Sequence, residues 1–321
     1  MTKHISLNLD HGAKVIGRAT PIENLLSLPV VRSTIVRFGD IETPEEDWYK
    51  DGVAALIVDL SKHNGEIHFP TLLPKVDGVI LRLGHAGIVD QKLAINLESI
   101  KDFPYLFKGG YWYYGTGVGL QRQIDLILET LSFFKPGEIH AFAMDIERGY
   151  NNWQGSRFRT EPLKIMRAVQ AERPDIEVVN YFDLGTWAEA LLFNEAYLQF
   201  KVWYAWYPTF PGITQYPWTG SVANKLTMED DIFLWQKSAY KNMRGAEFGV
   251  ESESIDLNLS RDSKEEFFKT WNITDNSSPL APPIPPPVEW PTEELEKAYA
   301  LQTESAAIID NLREQGGVDV W

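Results

Sequence analysis

The sequence predicts an α/β protein whose central part is a compact (β/α) barrel, and three observations carry that expectation. Apolar, β-rich runs recur eight times between residues 53 and 257. The earlier runs alternate with helical patterns and are apolar on both faces, as strands of a helix-covered parallel sheet must be. Eight such strands in about 210 residues suit a closed barrel better than an open doubly wound sheet.

The runs are Val53–Leu60, Gly78–Leu83, Gly109–Tyr114, Ile139–Ile146, Glu177–Phe182, Lys201–Tyr207, Ile232–Gln236 and Ser254–Leu257. Helical periodicity falls at 90–104, 118–134, 158–172 and 185–196. No convincing helix separates the last three strands, so a regular eightfold barrel is not expected. Residues 1–50 hold short apolar runs, Lys14–Ile16, Val30–Val31 and Thr34–Val36, that read as strands of a small β appendage. The barrel is expected over 51–274. Residues 275–291 contain seven prolines, a composition that favours a semi-rigid polyproline spacer over an SH3-type ligand. In the last segment, 292–321, the stretch Glu293 to Gln315 reads as one amphipathic helix stopped by Gly316 and Gly317. A tethered single helix cannot bury its own apolar stripe, so it either docks back or pairs with a protein partner or a second copy.

Composition excludes several classes. The chain of 321 residues has no cysteine, which removes disulfides, thiol nucleophiles and Cys-based metal sites. A formal charge of −15 without a basic cluster disfavours nucleic acid and anionic membrane surfaces. The longest apolar stretch, Val53–Val58, is far short of a membrane span, so no insertion is expected. The opening MTKHISLNLD lacks the apolar core of a secretory signal, so no export address is expected.

In a parallel barrel, functional groups gather at the C-terminal strand ends. Asp59 ends the first strand, Asp145 and Glu147 the fourth, and Asp256 lies on the last. Side chains alternate with period two, so Asp145 and Glu147 share a side. Adjacent carboxyls resist joint ionisation; one should rise in pKa and serve as a general acid. Any single acid at such a position is more often a helix cap, but four together are hard to explain that way. Aromatics crowd the same ends: Tyr111–Tyr114, Tyr181, Trp203–Tyr207 and Trp235. Each alone reads as core; with the acids they favour a glycoside hydrolase. The six histidines form no H-E-x-x-H motif, and GTGVG at 115–119 lacks a Walker lysine, so neither metal nor cofactor is expected.

These residues, taken in order, resemble the family 25 glycoside hydrolases, lysozymes that cut peptidoglycan. VDLSKHNG (58–65) resembles the family's D-x-S-x-x-(Q/N)-G opening, LRLGHAGIVD (81–90) its R-x-G segment, and GGYWYY (109–114) its G-x-Y-H-(F/Y) strand. AMDIE (143–147), VWYAWY (202–207), LWQ (234–236) and IDLN (255–258) resemble the later motifs. Trp112 stands where the family often has His.

The resemblance implies a modified TIM-like barrel of five β/α units plus three further strands. It implies hydrolysis of the β-1,4 bond from N-acetylmuramic acid to N-acetylglucosamine in glycan strands of bacterial peptidoglycan. Glu147 would be the general acid. Asp145 would orient and stabilise an intermediate formed with the substrate's acetamido group, as in family 18 chitinases, and Asp59 and Asp256 would complete the acidic floor. Tyr111, Tyr181, Trp203, Trp235, Arg82 and Gln236 would contact substrate, with Arg82 alternatively a structural ion-pair partner. A phage or prophage lysin is implied, held in the host cytoplasm before release or carried on a phage-like particle. The alternative is a catalytically silent sugar-binding or structural module of such a particle.

Overall fold

The computed structural model describes residues 54–149, 151, 153–207, 232–238 and 242–273, with the backbone of 6–8 and 14–16. The chain divides into two compact units, Met1–Glu46 and Asp47–Trp321. In the first, β1 (Ser6–Asn8) pairs antiparallel with β2 (Lys14–Ile16), Leu7 opposite Val15. The expected strand at Lys14–Ile16 is therefore present. The runs at 30–31 and 34–36, the proline-rich segment 275–291 and the helix 293–315 lie outside the described residues.

In the second unit the strands in chain order are β3 (Ala54–Leu60), β4 (Gly78–His85), β5 (Ile88–Val89), β6 (Phe107–Tyr113), β7 (Ala141–Asp145), β8 (Glu177–Asp183), β9 (Lys201–Ala205), β10 (Ile232–Ser238) and β11 (Asp256–Ser263). Among the described residues, eight of them close a barrel in the order β3-β11-β10-β9-β8-β7-β6-β4, with β4 returning to β3, while β5 folds back on the end of β4. All neighbours from β3 round to β10 run parallel. β11 is antiparallel to both β10 and β3.

A helical segment follows each of the first five parallel strands: α1 (Phe69–Leu72), α2 (Leu93–Ile100), α3 (Leu120–Leu131), α4 (Ser156–Glu172) and a broken stretch after β8. Five β/α units plus three strands is the predicted architecture. The broken stretch departs from the single helix expected at 185–196. It is a π-helical turn, Thr186–Ala190, and a 3-10 turn, Glu195–Gln199. Leu192 and Phe193 both take left-handed φ of 55°, which no helix continues through, and the Asn194 side chain then caps the new turn. Among the described residues, two further short helices follow, α5 (Gly245–Phe248) and α6 (Lys264–Thr270).

Strand parity sorts the core into two layers. Outward residues such as Val58, Leu81, Trp112, Phe142, Phe182 and Tyr204 pack under the helices. Inward residues Ala55, Ile57, Ile80, Ala141, Ala143, Val179 and Leu234 fill the barrel. Because β11 is antiparallel, it ends at the barrel's N-terminal mouth and delivers α6 there. Phe267 and Trp271 then pack tilted and edge-on against Phe107, with ring centroids 5.2 and 5.0 Å away, and plug that mouth. Among the described residues, these aromatics close that mouth, while the opposite, C-terminal rim holds an open cleft.

Candidate active site

At that rim the inward parity continues from apolar to polar residues: Ile57 to Asp59, Ile80 to Arg82, Ala143 to Asp145 and Glu147, Val179 to Tyr181, Leu234 to Gln236. Asp256 opens β11, and because that strand runs backwards its first residue pairs with Asp59, the last-but-one of β3. The register thus puts all four acids at one end. With Tyr111, Trp203 and His63 they line a cleft of about 480 Å³.

The wall is built by motif residues. Ser61 accepts the His63 N–H, and its own N–H donates to Asn64 Oδ1 at 2.7 Å, a reciprocal cap that turns the chain sharply after Asp59. Gly65 completes that turn at φ 69°, where Glu251 packs so close that no Cβ fits. Arg82 donates through Nε to Asp90 at 2.5 Å, while its Nη2 has no partner among the described residues. Arg82 is therefore both an ion-pair partner and a cleft residue. Below, Trp203 Nε1 donates to Asn258 Oδ1 at 2.8 Å, and Asn258 Nδ2 donates to Asp59 Oδ2 at 2.9 Å. Gln236 Nε2 reaches the same oxygen at 3.2 Å, and Gln236 Oε1 accepts the hydroxyls of Tyr181, at 2.6 Å, and Tyr207.

The structure does not bring Trp235 to the cleft. It is 1% exposed in the outer layer and donates to the Trp206 carbonyl at 2.6 Å. Its neighbours Leu234 and Gln236 hold the inward positions, and one residue along a strand reverses the face. The remaining candidates, Tyr111, Tyr181, Trp203, Arg82 and Gln236, all line the cleft with the four acids.

Burial dominates the electrostatics. It pushes Glu147 up to about 7, with the Asp183 charge adding and a Tyr181 hydrogen bond opposing. It raises Asp145 well above the carboxylate range, helped by Glu147 and opposed by Arg82. Asp256 rises through burial and the neighbouring Asp59. Asp59 also rises through burial, held back by hydrogen bonds from Asn258 and Gln236. The expectation that mutual repulsion lifts one carboxyl is thus corrected: desolvation is the larger cause, and all four rise.

Sequence reasoning passed over several residues. Asp183 closes β8 one position beyond the predicted strand end, on the parity of Tyr181. It lines a second cavity of about 330 Å³ with Arg148, Trp153 and Thr186. Glu147, Tyr181 and Tyr207 line both cavities, so Glu147 stands on their shared wall. Asn151 braces it, donating to the Glu147 carbonyl at 3.0 Å and the Tyr114 carbonyl at 2.9 Å. That brace comes from a polar loop with no periodicity to mark it. Among the described residues, no group of three or more His, Asp or Glu is arranged to hold a metal ion. Nor is any described helix long and apolar enough to cross a membrane.

No protein-family model and no curated protein matches this sequence. Solved structures do. A family 25 glycosyl hydrolase from Bacillus anthracis superposes with a TM-score of 0.55 at 16% identity, over 72% of this chain and 99% of that one. The bacterial lysozyme from Streptomyces coelicolor gives 0.51 at 16% identity, over 68% and 98%. Against the modular autolysin LytC from Streptococcus pneumoniae the TM-score is 0.44 at 20% identity, and the chain spans only 46% of that longer protein. What is shared at these identities is the fold: this chain has the barrel fold of these two structures.

Proposed function

We propose that the protein is a peptidoglycan hydrolase, a muramidase that cleaves the β-1,4 bond between N-acetylmuramic acid and N-acetylglucosamine. The observation that carries this reading is the position of Glu147, a half-buried residue whose carboxyl is raised to about 7 on the wall between two cavities. A polymer lying through both cavities passes its scissile oxygen across that carboxyl.

Glu147 protonates the leaving oxygen as the glycosidic bond breaks. The substrate's acetamido carbonyl attacks the anomeric carbon from the other face, and Asp145 takes the acetamido N–H. Asp145 lines the cleft beside Glu147, and its buried Oδ1 has no hydrogen-bond partner among the described residues. Water then opens the cyclic intermediate, and Glu147 recovers its proton from that water. The fold it shares with a bacterial lysozyme and a family 25 glycosyl hydrolase supports the assignment. Its place of action is the bacterial cell wall, reached on host-cell release or from a phage-like particle.

The test is turnover of purified peptidoglycan by wild type and Glu147→Gln, with mass spectrometry of the released ends. Wild type should produce reducing ends at muramic acid, and the variant should lose about 10²-fold or more. Because the acid must carry its proton, kcat/KM should fall as pH rises through about 7. Intact, folded protein that cleaves no wall preparation would leave the silent sugar-binding module in its place.

A further inference from the structure

Asp90 anchors the cleft wall on the side away from the second cavity. Its Oδ2 accepts the Arg82 Nε–H at 2.5 Å and the Lys62 backbone N–H at 3.2 Å, and its Oδ1 accepts the Lys92 backbone N–H at 2.8 Å. One carboxylate oxygen thus joins β4 to the turn that follows β3. The Arg82 side chain is 9% exposed and that of Asp90 1%. A guanidinium is planar, so holding Nε in a packed wall also fixes where its other nitrogens point. Nη2 is shielded from solvent and without a partner among the described residues, on a side chain that lines the cleft. A buried donor of a charged group costs stability when unpaired, and it calls for an acceptor that function supplies.

Strand order indicates which part of a substrate meets it. Asp145 on β7 pairs with Tyr113 on β6, and Tyr111 on β6 pairs with Arg82 on β4. Going round the rim from Glu147, the cleft therefore presents Asp145, then Tyr111, then Arg82, with about 10 Å from β7 to β4. The second cavity lies the other way, toward Asp183 of β8 and Ala205 of β9. In the proposed reaction Glu147 faces the glycosidic oxygen on C1, and Asp145 faces the acetamido group on C2. The leaving sugar then fills the second cavity, and C3 follows C2 toward β6 and β4. In muramic acid C3 bears a lactyl ether ending in a carbonyl or carboxylate; in glucosamine it bears a hydroxyl.

We propose that Arg82 is the specificity-determining residue for the muramic ring: its Nη2 donates to the terminal oxygen of the lactyl arm, while Asp90 holds the guanidinium through Nε. This rests on the muramidase reading and names the substituent by which the cleft tells muramic acid from glucosamine. Among the described residues that line the cleft, only Arg82 and His63 can carry positive charge, and His63 belongs to the turn that Asp90 ties to Arg82. The cation-bearing side of the cleft is thus the side where the acyl arm arrives. Lysine would not serve, because a single ammonium cannot both pair with Asp90 and present a second nitrogen in a fixed direction.

Binding to the full chain carrying Glu147→Gln, which leaves the ligand intact, tests this. Calorimetry compares a tetrasaccharide of alternating N-acetylglucosamine and N-acetylmuramic acid with a chitin tetrasaccharide of N-acetylglucosamine alone. The alternating ligand should bind more tightly, and Arg82→Lys should cut that preference by about tenfold or more. Because lysine keeps the charge, the loss reports the fork and not the field. Arg82→Gln, which still donates to Asp90, should cut the preference as well, and thermal unfolding identifies which variants are folded. A residue that merely braced the wall would weaken both ligands alike and leave their ratio unmoved. No preference in the parent chain, or an unchanged ratio in a folded variant, overturns the proposal. An Arg82-dependent preference in a protein whose wild type cleaves no peptidoglycan would uphold the lactyl contact and remove the hydrolase reading. Cleavage with an unmoved ratio would do the reverse.

Discussion

Asn258 makes three hydrogen bonds from a fully buried amide: from Trp203, to Asp59 and to the Ile57 carbonyl. Its side chain therefore ties β11 to β9 and β3 beneath the acids. Asn258→Leu would roughly keep the side-chain shape, orphan the Trp203 indole N–H and remove one donor from the buried Asp59 carboxyl. Such groups cost about 1–3 kcal/mol each when left unpaired, so the variant should lose about 3 kcal/mol or more. Denaturant unfolding checks this; a loss under about 1 kcal/mol would mean that water replaces the amide. The sequence offered IDLN as a motif, but only the barrel interior shows that its Asn supports the acids.

Strand parity explains what each element contributes. In β10 the pair Trp235 and Gln236 could be assigned to either face from sequence, because a strand covered on both sides is apolar on both and gives no alternation to count. Gln236, the one polar residue facing inward there, was the better guide than the aromatic beside it. β4 carries another constraint. Its register slips between Arg82 and Gly84, an irregularity just beyond the cleft residue Arg82. A Cβ at Gly84 would collide with the Ile88 carbonyl and the buried Trp112 ring. Gly84→Ala should therefore destabilise by about 2 kcal/mol or more and shift Arg82. Thermal unfolding together with the KM for wall fragments would expose both effects, and an unchanged Tm would mean the hairpin to β5 yields freely.

For the molecule as a whole, the acids make stability depend on pH. A carboxyl raised by burial keeps its proton in the folded chain and releases it in the unfolded one between the ordinary range and its folded value. The stability tied to it is thus complete below the ordinary carboxylate range and lost as pH rises through the folded pKa. For Glu147, raised from 4.5 to about 7, this corresponds to about 3 kcal/mol. Asp59, Asp145 and Asp256 act in the same direction. Wild type should melt at a lower temperature at pH 8 than at pH 5.5, and Glu147→Gln should narrow the gap by melting higher at pH 8. Equal Tm values at both pH values would mean that the acids are hydrated in solution.

Local pattern by itself determined the eight strands, the three longest described helices and the acid-rich strand ends, because burial period and residue type are written residue by residue. It also placed Asp145 and Glu147 on one side, since that needs only the period of a strand. Tertiary structure decided the rest. Asp256 reaches Asp59 only because β11 runs antiparallel, a pairing 197 residues apart in chain order that no local pattern specifies. Asp183 and Tyr207 join Glu147 through neighbouring strands, and the left-handed Leu192 and Phe193 interrupt what periodicity reads as one helix. Burial is the largest cause that raises all four carboxyls, and desolvation is a property of the surroundings that the folded barrel creates.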